Sequence, residues 1–174
     1  MKHNGKDEDG GLGRNLSGST GKGRAVTILS WTAVILWMLF IFYLSAQPAE
    51  QSNQLSSGIT QAIIKLLGRL APGIEPDLNS FNYFVRKNAH FVAYLVLGLL
   101  SSNAMGRNRP HSLRNGFIAL LLCVLYAISD EVHQLFVPGR GGRVTDVLID
   151  SAGAMVGIGL YFFVMKLRHR AINT

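Results

Sequence analysis

Residues 130–150, DEVHQLFVPGRGGRVTDVLID, bring Asp130, Glu131, Asp146, Asp150, Arg140, Arg143, His133 and Gln134 together around a Pro138-Gly139 turn. Upstream, Arg86, Lys87, His90 and Tyr94 add two cations, an imidazole and a phenol. A carboxylate near an imidazole can move protons, with Asp130 or Glu131 as general base and His90 or His133 as proton carrier. Cations can instead grip an anion, most simply a phosphate. Arg86, Lys87, Arg140 and Arg143 would hold it, and His90, Tyr94, Gln134, Asp146 and Asp150 would complete its surroundings. The glycines of PGRGGR suit that use, because they let backbone N–H groups approach a ligand. The bland alternative is internal pairing of the four cations with the four acids. Asp146, in the first turn of its helix, also partners the helix dipole. Several of these groups could ligate a metal. However, Asp130-Glu131-x-His133 lacks the paired histidines of His-Glu-x-x-His, and four nearby cations oppose a metal. The sequence reading therefore assigns no metal and no cofactor.

The elements that must position these groups are apolar. The chain has 174 residues, 48% hydrophobic and 16% charged, with a net charge of +7. This composition fits a small multi-pass membrane protein. The Lys and Arg residues flank apolar runs instead of gathering on one soluble face, and no nucleic-acid-binding motif appears, which excludes nucleic acid as a partner. Cys123 is the single cysteine, so no intrachain disulfide can form.

The sequence predicts an all-α fold: a four-helix transmembrane bundle with an extracytoplasmic interfacial amphipathic helix and a disordered N-terminal tail. The tail is residues 1–24, rich in glycine, serine and mixed charge. The transmembrane domain is residues 25–170, with spans at about 25–45, 88–106, 115–136 and 144–165. The first apolar run is too long for a cleaved signal peptide and is read as an uncleaved helix. Residues 52–71 place Leu55, Ile59, Ile63, Leu66, Leu67 and Leu70 on one helical face, so this segment should lie along the membrane surface or cover the other helices as a lid.

Lys and Arg counts set orientation. Eleven fall in the N-terminal tail, the 107–114 loop and the C-terminus, against six on the other side, which places both termini in the cytoplasm. Depth follows from a rise of about 1.5 Å per residue. Counted from the cytoplasmic ends of their spans, His90, Asp130 and Asp150 lie roughly 25, 22 and 24 Å up. The three should share one level just under the extracytoplasmic edge, where ionisable groups require partners or a function. The second and fourth spans start on that side, so their positive dipole ends should point at the cluster. Gly153-x-x-x-Gly157 would let another helix approach closely beneath the acids.

Three motifs coincide: Arg86-Lys87-x-x-His90-Phe91-x-x-Tyr94-x-x-x-Gly98; Asp130-Glu131-x-x-Gln134-x-Phe136-x-Pro138-Gly139-Arg140; and Asp146-x-x-x-Asp150-x-x-Gly153-x-x-x-Gly157. With Ser45-x-x-Pro48, they make residues 25–165 resemble the VanZ-like family of small bacterial membrane proteins. The family often has Asn where Asp150 stands, so this chain adds a negative charge there. The resemblance implies a multi-pass protein of the bacterial cytoplasmic membrane. The family's namesake is associated with low-level resistance to teicoplanin, which links the fold to the cell envelope without supplying a reaction.

Three functions fit the residues. The first is a cell-envelope factor binding an anionic lipid or lipid-linked precursor, with the bilayer as its other partner. The second is a membrane-embedded hydrolase or group transferase using Asp130 or Glu131 with His90. The third is a structural or partner-binding protein whose polar cluster locks helices together. A transporter is disfavoured, because four spans are few and the polar groups stop short of crossing the membrane.

Overall fold

The computed structural model describes residues 12–70, 77–106 and 112–172. Among them it forms five helices and no strand: α1 (Leu12–Ser45), α2 (Ala49–Leu70), α3 (Leu78–Gly106), α4 (Leu113–Gln134) and α5 (Val144–Ile172). Four are long and apolar enough to cross a membrane, over Gly23–Ser45, Ser80–Gly106, Leu113–Gln134 and Val144–Ile172. Large apolar side chains such as Leu36, Leu39, Phe117, Leu125, Met155 and Phe163 point outward, which suits a hydrocarbon solvent.

Two boundaries differ from expectation. Helix α1 starts at Leu12, so residues 12–22 extend the helix ahead of the first span where a disordered tail is expected; residues 1–11 lie outside the described residues. Extending a helix that already exists adds a hydrogen bond per residue without a new nucleation cost. Helix α3 starts at Leu78, well before the expected residue 88. Asp77 caps it: its carboxylate accepts from the Ser80 N–H at 3.0 Å. Arg86 and Lys87 therefore sit two turns inside α3. The positive end of its dipole is not at these cations, contrary to the sequence reading.

The core is narrow and built on α3. Tyr94 and Leu97 are buried beside Val34 and Ile41 of α1, Cys123 and Ala127 of α4, and Ala154 of α5. Trp37 Nε1 donates to the Ala93 carbonyl at 2.8 Å, and the Tyr126 hydroxyl donates to the Met38 carbonyl at 2.5 Å. These bonds tie α1 to α3 and α4 where no water is present to compete.

Helices α3 and α5 run in the same direction and meet through glycines. A Cβ on Gly153 would strike the Phe91 carbonyl oxygen, and one on Gly157 would strike that of Leu95. From the other side, a Cβ on Gly98 would strike the Ala154 carbonyl oxygen. Only hydrogen at these positions permits the observed backbone approach.

Helix α2 packs on α3 through its polar stripe. Ser56 and Thr60 are buried, while Leu55, Ile59 and Leu66 are exposed. Thr60 donates to Asn82 at 3.3 Å, and Asn82 donates back to Ser57 at 3.4 Å. In water this arrangement would be inverted. Beside a bilayer it hides the hydroxyls and offers the leucine face to lipid.

Candidate functional site

The polar residues collect where α1 ends and α3 and α5 begin. Ser45 closes α1, and α2 follows after a three-residue link. The α4–α5 loop folds over this end: the Ala49 N–H donates to the Pro138 carbonyl at 3.2 Å. Gly139 turns the loop with φ 74°, a left-handed conformation that suits glycine.

Arg140 is fastened by this turn. Its guanidinium donates to the Ser45 carbonyl at 2.9 Å and to the Ser52 hydroxyl at 2.7 Å. Arg86 donates to the Asn53 side-chain oxygen at 3.3 Å. Among the described residues, neither guanidinium has a carboxylate within 4.0 Å. Burial pushes the Arg140 guanidinium below its ordinary value, and the like charge of Arg86 pushes it further. Lys87, by contrast, is paired internally with Asp146, in the first turn of α5. Internal pairing thus accounts for one cation and leaves these two half-buried arginines bonded only to neutral groups.

Arg86, Lys87, His90, Gln134, Gly139, Arg140, Gly141, Arg143 and Asp146 line a cavity of about 110 Å³. A second cavity of about 170 Å³ adjoins it, lined by Ile41, Leu44, Leu55, Ile59, Val85, Ala89 and Ala93 together with Ser45, Ser52 and Ser56. The two share Arg86, His90 and Arg140. A charged recess therefore opens onto an apolar groove between α1, α2 and α3.

Beneath the recess lie the buried acids. Asp130 Oδ2 accepts from the Ser45 hydroxyl at 2.9 Å and from Gln134 Nε2 at 3.4 Å, while Oδ1 has no hydrogen-bond partner. Asp150 is fully buried and neither oxygen has a hydrogen bond. His90 Nδ1 is 3.7 Å from Asp150 Oδ1. One ligand atom from each of His90, Asp130 and Asp150 lies within 4.8 Å of the others, a grouping that could hold a metal. If both acids were ionised at that separation, with an effective dielectric of about 20, they would repel by roughly 3 kcal/mol.

Glu131 is occupied differently. Its Oε2 accepts from the Arg143 backbone N–H at 2.7 Å, and its Oε1 accepts from Gln134 at 3.4 Å. The glycine-rich loop thus gives this N–H to the protein's own carboxylate. Gly142 permits the approach, since a Cβ there would lie 2.8 Å from the Glu131 carbonyl oxygen.

Of the residues singled out from sequence, Arg86, Lys87, His90, Gln134, Arg140, Arg143 and Asp146 line the recess. Asp130, Glu131, Asp150 and Tyr94 are buried and do not line it. Tyr94 is one turn from His90 on α3, and its buried hydroxyl has no partner. His133 leans on Phe42, with ring centroids 4.5 Å apart, and lines neither cavity. Sequence reasoning missed Ser45, Ser52 and Asn53 as parts of this cluster. Ser45-x-x-Pro48 was the one visible signal, and nothing in the spacing tied it to Asp130 or Arg140.

A family model described as VanZ/LLP1 matches residues 30–165, a stretch that contains every residue of the recess, the groove and the buried triad. No curated protein and no solved structure matches the chain. Four apolar helices that meet in one polar cluster, within the span of that match, make this chain a multi-pass membrane protein of the VanZ/LLP1 family.

Proposed function

We propose that this protein binds an anionic, lipid-linked molecule of the cell envelope, with the charged head in the arginine-lined recess and the hydrocarbon in the adjoining groove. One observation carries the reading: recess and groove share Arg86, His90 and Arg140. An amphiphile needs that adjacency, because its head and tail are covalently joined. Arginine forks suit phosphate oxygens, and an anion would offset the like charges of the two arginines. The cluster sits at the extracytoplasmic end of the bundle in the bacterial cytoplasmic membrane, with both termini inside; the excess of Lys and Arg on the opposite side supports that orientation. Teicoplanin tolerance, with which the family's namesake is associated, is the cellular phenotype to assay.

Native mass spectrometry of the purified protein with bacterial lipids tests the reading. Retention of a phosphorylated isoprenoid or other anionic lipid, lost in Arg140→Ala, is the expected result. Equal retention by both proteins would leave a purely structural cluster as the better account.

A catalytic reading is favoured by one further observation: one carboxylate oxygen each from Asp130 and Asp150 lies within 4.8 Å of a His90 ring nitrogen, and His90 lines the recess. Hydrolysis or group transfer would then use Asp130 and His90 in preference to Glu131, whose oxygens are engaged. Asp130→Asn separates the two readings, since retained binding with lost turnover marks an enzyme.

A further inference from the structure

We propose that His90, Asp130 and Asp150 bind one divalent transition-metal ion, zinc or manganese, beneath the arginine-lined recess. The inference goes beyond amphiphile binding and does not depend on it.

Each helix supplies one donor: α3 the imidazole, and α4 and α5 one carboxylate apiece. This is why no local spacing reveals the set. The donor atoms fall within 4.8 Å of one another. Ligands on a coordination sphere of about 2.1 Å stand about 3.4 Å apart. The His90–Asp150 separation of 3.7 Å is already near that figure, and the remaining gap is within reach of small side-chain rotations.

Independent observations point to a missing ligand. Asp150 is fully buried with neither oxygen hydrogen-bonded, and Asp130, also buried, has one oxygen, Oδ1, without a hydrogen bond. Buried carboxylates ordinarily have hydrogen bonds or a cation. The Tyr94 hydroxyl, one turn along α3 from His90, is also buried without a hydrogen-bond partner. No Lys or Arg pairs with Asp130 or Asp150 among the described residues, and Lys87 is already matched by Asp146. A divalent cation would cancel both carboxylates and leave His90 neutral.

The donor set narrows the metal. Calcium and magnesium prefer all-oxygen shells, whereas an imidazole with two carboxylates suits zinc or manganese. Three protein donors resemble a site with a coordination position left for water or substrate. His90 also lines both cavities, so the ion would adjoin the recess. His90 and Asp130 would then serve as metal ligands and not as proton carriers.

The test uses the full chain in detergent, stripped with EDTA and dialysed against Zn2+ or Mn2+ alone. Metal analysis should find one equivalent of at least one of these ions per chain. Affinity should fall at least tenfold in Asp150→Asn and in His90→Gln. His133→Ala, outside the cluster, should bind as the parent does. Adding that ion should raise the unfolding temperature of the parent and leave that of Asp150→Asn unchanged. No saturable binding of either ion by the parent protein overturns the proposal, and so does equal binding by the parent and Asp150→Asn. If a variant does not fold, the metal-dependent unfolding temperature of the parent still decides. No lipid enters the experiment, so its failure leaves the amphiphile reading intact.

Discussion

The Arg140 guanidinium donates to the carbonyl of Ser45 at 2.9 Å, fastening the α4–α5 loop to the last residue of α1. A cation at a helix C-terminus meets the negative end of the dipole, so the contact is favourable without any carboxylate. The same side chain lines both cavities, which joins the architecture of this end to its capacity for ligand.

Arg140→Lys should therefore fail although charge is kept. Lysine cannot span the Ser45 carbonyl and the Ser52 hydroxyl in one planar fork. Retention of anionic lipid should drop about tenfold, equivalent to about 1.4 kcal/mol. Lipid titration followed by native mass spectrometry measures this, and parent-like retention would count against the assigned role of Arg140.

Ser45→Ala should destabilise the fold by about 1–3 kcal/mol, because Asp130 Oδ2 loses its hydroxyl donor while buried. Thermal unfolding in detergent gives the shift. A loss below a few tenths of a kcal/mol would mean that Gln134 or water replaces the hydroxyl.

Gly157→Ala should cost about 1–3 kcal/mol, since the new methyl meets the Leu95 carbonyl. Gly159→Ala is the control: nothing lies within 4 Å of its Cβ position, so the change should stay within about 0.5 kcal/mol. Similar values for the two variants would contradict the close packing of α3 on α5.

Lys87→Met and Asp146→Asn should not add. Each single change strands a partly buried charge, whereas the double change removes both. A double-mutant cycle should return a coupling of about 1 kcal/mol or more. Additive losses would show that the pair contributes nothing measurable.

Orientation can be read by labelling. Cys123, the single native cysteine, is fully buried, and Gly141 is exposed with open space around it. Gly141→Cys should react with a membrane-impermeant maleimide in intact cells. Reaction only after permeabilisation would place the recess in the cytoplasm.

The spans were legible because an uninterrupted apolar run admits few other structures. The shared level of His90, Asp130 and Asp150 was legible too, since helical rise is nearly constant and depth reduces to counting. What could not be read were relations between helices. Nothing in the sequence distinguishes Lys87, which pairs with Asp146, from Arg86, which reaches Asn53. Helix α2 shows the same limit. Its amphipathic period was plain, yet the choice of side depends on whether neighbouring surfaces are polar, as Asn82 and Arg86 make them here. The apolar run that marks the second span begins only after Arg86 and Lys87, whereas the Asp77 cap lets the helix itself begin earlier.

The glycine seam between α3 and α5 also works as a ruler. Backbone touches backbone at Phe91–Gly153 and Leu95–Gly157, so no compressible side chain lies between the two rods. His90–Asp150 and Lys87–Asp146 sit on the same two rods, within about two turns on the N-terminal side of that seam, and their gaps are inherited from it. A methyl wedged at Gly153 would spread both gaps at once, altering polar distances without touching a polar atom.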